Sequence, residues 1–147
     1  MSILTHADWN SNQVGLINWL DPVGAGTYYK EGLFGDYATF GDTLLNGRSN
    51  ITVATTLKPS IVTVAGNEVD YGFGGSGKLV GVGVLLKSGT GDLTISNANE
   101  FTGGATLAAG ITRLAHNSAL GWGPVTLSGG ALASATTDSL TLTNSFV

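Results

Sequence analysis

The sequence predicts an all-β chain built from many short strands, and three observations carry that prediction. Apolar and polar residues alternate over short stretches, as in Leu93-Thr94-Ile95, Val125-Thr126-Leu127 and Leu140-Thr141-Leu142, and no stretch keeps a helical stripe. Alternation with a period of two, bounded by turn residues, is the pattern of a strand with one buried face. Glycine accounts for 23 of the 147 residues and falls mainly between these stretches, beside asparagine and serine. There it supplies the backbone angles that tight turns need. Charged residues are only 11% of the chain, so threonine and serine provide much of the polar surface, and threonine does so while favouring strand geometry.

The same composition bounds the function. A chain of 147 residues is one domain by length and large enough to bury a continuous core. The net charge is −4, and Lys30, Arg48, Lys58, Lys78, Lys87 and Arg113 are scattered singly, which gives no basic footprint for nucleic acid. There is no cysteine, which removes disulfides and thiolate metal sites. No apolar run approaches the ~20 residues of a membrane-spanning helix, so no membrane-spanning segment is expected. Met1-Ser2-Ile3-Leu4-Thr5-His6 lacks the basic start and apolar core of a signal peptide. The chain is therefore read as a processed product, a fragment, or the product of a system that needs no signal.

Residues 1–49 are expected to form an N-terminal cap or assembly segment. Seven of the twelve aromatics lie there (Trp9, Trp19, Tyr28, Tyr29, Phe34, Tyr37 and Phe40), with five of the ten acids, Asp8, Asp21, Glu31, Asp36 and Asp42. Asp21-Pro22 and Gly24-Ala25-Gly26 mark turns. Bulky rings in an otherwise small-residue chain suit the end of a stack, which if uncovered exposes apolar surface and unpaired backbone.

Residues 50–147 hold the regular strand signals, beginning with Ile51-Thr52-Val53, Ser60-Ile61-Val62-Thr63-Val64 and Val69-Asp70-Tyr71-Gly72-Phe73. Leu79-Val80-Gly81-Val82-Gly83-Val84-Leu85 reads as one strand, whose glycines are costly unless something packs closely against them. Pieces recur at about 18 residues, from Leu93 to Ile111 and from Leu107 to Val125. At that period the chain makes roughly eight coils, a rod ~40 Å long at the spacing of paired strands. The periodicity alone also permits a β-sandwich.

Residues 85–132 carry a more specific order of motifs. Lys87-Ser88-Gly89-Thr90-Gly91-Asp92-Leu93-Thr94-Ile95 is followed by Asn97-Ala98-Asn99-Glu100-Phe101-Thr102-Gly103-Gly104-Ala105-Thr106-Leu107 and Ala109-Gly110. Ala119-Leu120-Gly121 and Val125-Thr126-Leu127-Ser128-Gly129-Gly130-Ala131-Leu132 come next. In this order the stretch resembles the autotransporter-associated β-strand repeat. Gly35-Asp36-Tyr37-Ala38-Thr39-Phe40-Gly41-Asp42-Thr43 is similar, more weakly, to the end of the aromatic-rich segment that precedes the first repeat in that family. The resemblance implies a single-stranded right-handed parallel β-helix, or β-solenoid, with an aromatic-rich N-terminal cap. It also implies a passenger-type protein, found in the family upstream of an outer-membrane barrel. The sequence has no series of ~10-residue lipid-facing strands with aromatic girdles, so the barrel itself is not expected within these residues.

Motifs that could carry chemistry are few. Gly72, Gly74 and Gly77 fit a GxGxxG spacing and Gly77-Lys78 the end of a phosphate loop, but such loops work where a strand turns into a helix. Here strand-forming Leu79-Val80 follows, and a glycine turn between coils is expected instead. Gly74-Gly75-Ser76-Gly77 is similar to a calcium-binding β-roll repeat, with Leu79 where a liganding aspartate would stand. Glu68 and Asp70 are spaced to share one strand face and could in principle hydrolyse glycosides; with Asp92 and Glu100 they read as solvated charges. Asp36 and Asp42 lack a calcium-loop spacing. His6 and His116 form no metal pair, and Ser76 lies in no GxSxG elbow. Asn97, Asn99 and Asn117 are candidates for corner ladders, each bonding like residues above and below, or for ordinary turn residues. Trp122 is expected to cover the core at a corner, with a partner or sugar anchor as the alternative. Asn50-Ile51-Thr52 fits an N-glycosylation acceptor.

These readings give no catalytic cluster, no metal site and no cofactor, and the expected function is structural. The chain is expected to be a bacterial extracellular or cell-surface β-solenoid that associates with itself, end to end, into a filament or fibre. The candidate contact residues are Leu140, Leu142, Phe146 and Val147 at the C-terminal edge, which carries no charge after Asp138, and Trp9 and Trp19 in the aromatic segment. Surface glycans are a further possible partner. The alternatives are a phage or viral fibre segment, and a carbohydrate-binding or carbohydrate-cleaving β-helix.

Overall fold

The computed structural model describes residues 36–42 and 49–147, together with the short strands at 2–4, 8–9, 19–20 and 26–27, among which Trp9 is the one side chain described. The chain is an all-β solenoid. In the first 27 residues β1 (Ser2–Leu4), β2 (Asp8–Trp9), β3 (Trp19–Leu20) and β4 (Gly26–Thr27) are short. The first full rung then runs through β5 (Tyr37–Phe40), β6 (Asn50–Val53) and β7 (Thr56–Leu57), one strand on each of three faces. The second is β8 (Ile61–Val64), β9 (Tyr71–Gly74) and β10 (Lys78–Gly81), and the third β11 (Val84–Lys87), β12 (Leu93–Ile95) and β13 (Glu100–Phe101). The fourth and fifth keep two strands each: β14 (Ala105–Leu107) with β15 (Ile111–Leu114), and β16 (Val125–Leu127) with β17 (Ala131–Ser134). All pairings between successive rungs are parallel. β1, β3 and β4 add an antiparallel extension at the edge of the first sheet.

From β5 to β16 the chain makes four turns, fewer than an 18-residue coil would give. On the first face Tyr37 pairs with Ile61 and Ile61 with Val84, then Leu85 with Ala105 and Ala105 with Val125. Those steps are 24, 23, 20 and 20 residues, as the residue numbers show. The apparent recurrence lay one or two residues off the true register: Leu93 faces Thr112, and Leu107 faces Leu127. The one-residue slip at Leu93 would move side chains to the opposite face, whereas the two-residue slip at Leu107 keeps the face and shifts only the partner.

From β5 to β16 the strands send alternate residues inward, and equivalent positions stack. Ala38, Val62, Leu85, Ala105 and Val125 form one buried column on the first face; Ile51, Phe73, Ile95 and Leu114 form another on the second. At the N-terminal end the core is aromatic. Phe40 lies 5.5 Å from Trp9, 4.9 Å from Phe73 and 5.5 Å from Tyr71, ring centre to ring centre. Tilted and edge-on pairs of this kind add to the burial of the rings themselves.

Two strand expectations are corrected. Residues 79–85 are two strands, β10 and β11, because Gly81 takes a φ of +89° and turns the corner. Val82 at that corner is 86% exposed. Gly83 is needed for a different reason: a Cβ there would run into the Pro59 carbonyl of the preceding rung. The segment Leu140-Thr141-Leu142 is not a ladder strand. Leu140 and Leu142 still pack against the core, while the Thr141 N–H donates to Asn117 Oδ1 at 2.9 Å. Beneath them the fourth rung crosses the third face in a turn filled by the buried Ala119 and Leu120, which leaves no strand to pair with.

The corners are tied by side chains that reach one rung along the stack. Asp42 Oδ1 accepts from the N–H groups of Asn67 and Glu68, at 2.7 and 2.8 Å. Asn67 Oδ1 accepts from Thr90 N–H, Asp70 Oδ1 from Asp92 N–H, and Asp92 Oδ1 from Ile111 N–H. Asn97 Nδ2 donates to the carbonyls of Gly75 and Gly77, and Asn144 Nδ2 repeats that geometry on Gly121 and Gly123. The asparagines therefore bond main chain on the neighbouring rung rather than one another. Asp70 and Asp92 are likewise corner ties rather than free solvated charges; Asp92 also pairs with Arg113 at 3.1 Å, and Glu100 pairs with Lys78 at 2.6 Å.

Lys87 is the unexpected core residue. It is fully buried in the column of Phe40, Val64, Leu107 and Leu127. Its Nζ donates to the Gly89 carbonyl of its own turn and to the Ala109 carbonyl one rung on. Burial pushes its pKa down, opposed by the charges of Asp92 and Asp70.

Two titrations set expected pH limits. The Glu68 N–H, assisted by that of Asn67, holds Asp42 below its ordinary value of 3.8. A depressed carboxylate stabilises the fold above that value, and the contribution is lost as pH falls through the lower native value. Burial, with Asp42 nearby, pushes Tyr71 from 10.0 up to about 12, and its hydroxyl donates to the Gly41 carbonyl at 2.5 Å. That contribution is whole below pH 10.0 and is lost as pH rises through about 12. Urea melts across pH are expected to show Tyr71→Phe losing less stability than wild type between those limits. Equal alkaline limbs would contradict this assignment.

Candidate functional site

The outer face of the second sheet carries an open groove of about 600 Å³. It forms where β9 lies between β6 and β12, with Asn50, Gly72 and Thr94 in one register and Thr52 and Gly74 in the next. Tyr71 and Phe73 point inward and are buried, so the outward positions of β9 are the two glycines. Their missing side chains make the floor. Asn50 and Thr52 stand on one side, Thr94 and Ser96 on the other, and Asp70 at the end.

The electrostatics are simple. Among the described lining residues Asp70 is the one ionised group. Its Oδ1 is held by Asp92 N–H at 2.7 Å. Asn50 Oδ1 sits above Gly72, 2.6 Å from where a Cβ would be. Unlike the corner asparagines, Asn50 bonds nothing through its side chain; the same holds for Thr52, Thr94 and Ser96. Such a site can exchange hydrogen bonds with a polar ligand through side chains. The main chain of β9 is committed on both edges, to β6 and to β12.

The other exposed features lie at the C-terminal end and at one corner. Phe146 bridges Val125 in parallel, and Phe146, Val147 and Leu127 are exposed by 52%, 80% and 45%. Leu140 and Leu142 are partly buried and, with Leu114 and Leu132, line a shallow apolar hollow beside β17. Trp9 is fully buried between Phe40 and Phe73 and offers no free face. Trp19 lies in β3, and its side chain is outside the described residues. Trp122 does not cover the core: it is 61% exposed, on a corner whose flanking carbonyls, Gly121 and Gly123, are both held by Asn144.

The remaining sequence motifs take structural places. Gly72 and Gly74 belong to β9, residues 75–77 turn, and β10 follows, so no helix N-terminus meets the glycines. Glu68 is in the turn between β8 and β9, so it does not share a strand face with Asp70. His116 Nδ1 is bonded locally to Ser118, and His6, Tyr28, Tyr29 and Phe34 lie outside the described residues. Among the described residues no group of three or more His, Asp or Glu could hold a metal ion, and no helix is long and apolar enough to cross a membrane. The groove was missed in the sequence although its signal was present. Tyr-Gly-Phe-Gly alternates large inward residues with absent outward ones.

Comparison with known proteins gives one informative likeness. Over 56 residues the chain is 43% identical to the adhesin BmaC autotransporter of Brucella suis biovar 1 (strain 1330), a match that covers 38% of this chain. It covers 2% of that adhesin's length. No family model matches the chain, and no solved structure matches it significantly.

Proposed function

We propose that the chain is a structural, non-enzymatic β-solenoid module of a bacterial surface protein, adhesin-like, of the autotransporter-associated repeat type, whose terminal edges associate with further copies of itself. The observation that carries the reading is the uninterrupted stack of five rungs, joined to the likeness with an autotransporter adhesin. A stack of this kind is a spacer and display surface, because each rung contacts only its neighbours and can be repeated. Asp70, Asp92 and Glu100 tie rungs and Glu68 is an exposed turn residue, which supports the non-enzymatic reading.

Self-association is argued from the C-terminal end. β17 has no strand on its outer side among the described residues, and the exposed Leu127, Phe146 and Val147 lie on the same end. Residues 145–147 lie along β16, where Val125 N–H donates to Ser145 O and Val147 N–H to Val125 O, so the open edge is β17, and an open edge without charge is a template for pairing. Light scattering of the purified chain is expected to show mass rising with concentration, and Phe146→Asp with Val147→Asp is expected to suppress it. A chain that stays monomeric at every concentration would remove the filament part of the proposal and leave the surface-module part standing.

A further inference from the structure

We infer that the groove across β6, β9 and β12 is a binding site for neutral glycans. The inference deepens the adhesin reading by naming the ligand class of one face of the solenoid.

The first support is that the fold does not need the groove. At most other glycines an added Cβ would strike main chain, as at Gly77, Gly83, Gly91 and Gly103; Gly41 and Gly81 are open, and at Gly72 it would meet the Asn50 side chain. At Gly74 it would meet nothing within 4 Å. Glycine in the middle of a strand weakens it by roughly 0.5–1 kcal/mol relative to alanine. A central strand that gives up that stability without steric reason points to use of the space.

The second support is the lining. Asn50, Thr52, Thr94 and Ser96 keep all their donors and acceptors, as the outward Thr63 and Thr106 of the first face also do, whereas the corner asparagines and aspartates are used between rungs. Asparagine is disfavoured in strands, and Asn50 is in one and bonds nothing there. Asp70 keeps Oδ2 for an outside donor. Hydroxyls, an amide and a carboxylate are complementary to sugar hydroxyls, which both donate and accept.

The third support is exclusion of other ligands by their chemistry. An extended peptide would need free backbone groups at a sheet edge, and β9 is paired on both sides. A sialylated or sulfated glycan, or a phosphate, would meet Asp70 with no lining Lys, Arg or His among the described residues. A neutral pyranose can rest its C–H face on the open Gly74 position and reach the flanking side chains, with Asn50, whose Oδ1 lies over Gly72, at its edge. Single-site affinity is expected to be weak, so multivalent display is the suitable readout.

The test uses the 147-residue chain coupled to beads, on an array of neutral and sialylated glycans and on host cells. Wild type is expected to retain neutral glycans. Gly74→Val fills the floor with a better strand former and is expected to keep or raise the melting temperature while losing at least tenfold in binding. Thr94→Val, which removes one hydroxyl, is expected to lose several-fold. Trp122→Ala, outside the groove, is expected to bind as wild type. No neutral glycan retained, a preference for sialylated glycans, or Gly74→Val binding as wild type would each overturn the inference. Cell attachment unaffected by Gly74→Val would overturn the groove while leaving the adhesin reading intact. Array binding lost in Gly74→Val without any attachment of wild type to cells would uphold the groove and count against the adhesin reading.

Discussion

Gly103→Ala is expected to lower stability by about 4 kcal/mol, or roughly 8–16 °C in melting temperature for a chain of this size. The position follows Gly83 by twenty residues and precedes Gly123 by twenty, and the three form a column at the corner before the first face. A Cβ at Gly103 would lie inside contact distance of the Val82 and Gly83 carbonyl oxygens, and 2.8 Å from the Gly83 carbonyl carbon. Neither neighbour is a flexible side chain. Both are main chain held in the stack, with Gly103 N–H donating to Gly83 O at 3.1 Å. Relief therefore requires two rungs to separate, and separation breaks the parallel ladders on either side. Gly74→Ala is the matched control, since its Cβ meets open space and it is expected to be neutral or slightly stabilising. Equal melting temperatures for the two variants would show that rung spacing at the Gly83–Gly103–Gly123 corner is not set by backbone contact.

Asn99→Ala is expected to cost about 3 kcal/mol. Asn99 is buried and links three rungs: its Oδ1 accepts from Leu79 N–H at 2.9 Å, and its Nδ2 donates to the Ala119 carbonyl at 2.8 Å. Alanine would leave a donor and an acceptor unpaired in the core, which is more costly than the loss of the bonds themselves. Asn99→Asp separates the two halves. The carboxylate can still accept from Leu79 N–H, but it cannot donate to Ala119 and is a buried charge. Burial raises its pKa, so the variant's stability is greatest below the unfolded carboxylate value and falls as pH rises through the native one. Chemical denaturation across pH would show it, and a variant indifferent to pH would refute the linking role of Nδ2.

How much of this was legible in the sequence follows from which interactions are local. Strands β6, β8, β12 and β16 were readable because alternation reports burial directly, and their inward residues are β-branched or leucine. Rung length was not, because the pieces compared sat one or two residues off register, and register is set by contacts twenty residues away. Lys87 ends an apolar run, Val84-Leu85-Leu86, and reads as its solvated terminus. Its interior place depends on carbonyls at Gly89 and Ala109, one of them on the next rung. Asp70 and Asn99 gave only their chemical type; their partners at Asp92, Leu79 and Ala119 belong to other rungs. The groove was hidden differently: Gly72 reads as part of a strand and Gly74 as part of the turn Gly74-Gly75-Ser76-Gly77, although the loop begins only after Gly74, so the two outward glycines of one strand are not seen together.

The ties from each corner to the next rung, such as Asn67 to Thr90 and Asp92 to Ile111, have a consequence for the order in which the chain acquires its shape. Among the described residues these ties join positions about one rung apart. Closing a loop of that length carries the same modest entropic cost each time, so assembly can advance like a ratchet, each completed rung serving as the mould for its successor. A chain delivered gradually from one end, through a ribosome or a narrow pore, need not wait for its far terminus before becoming ordered.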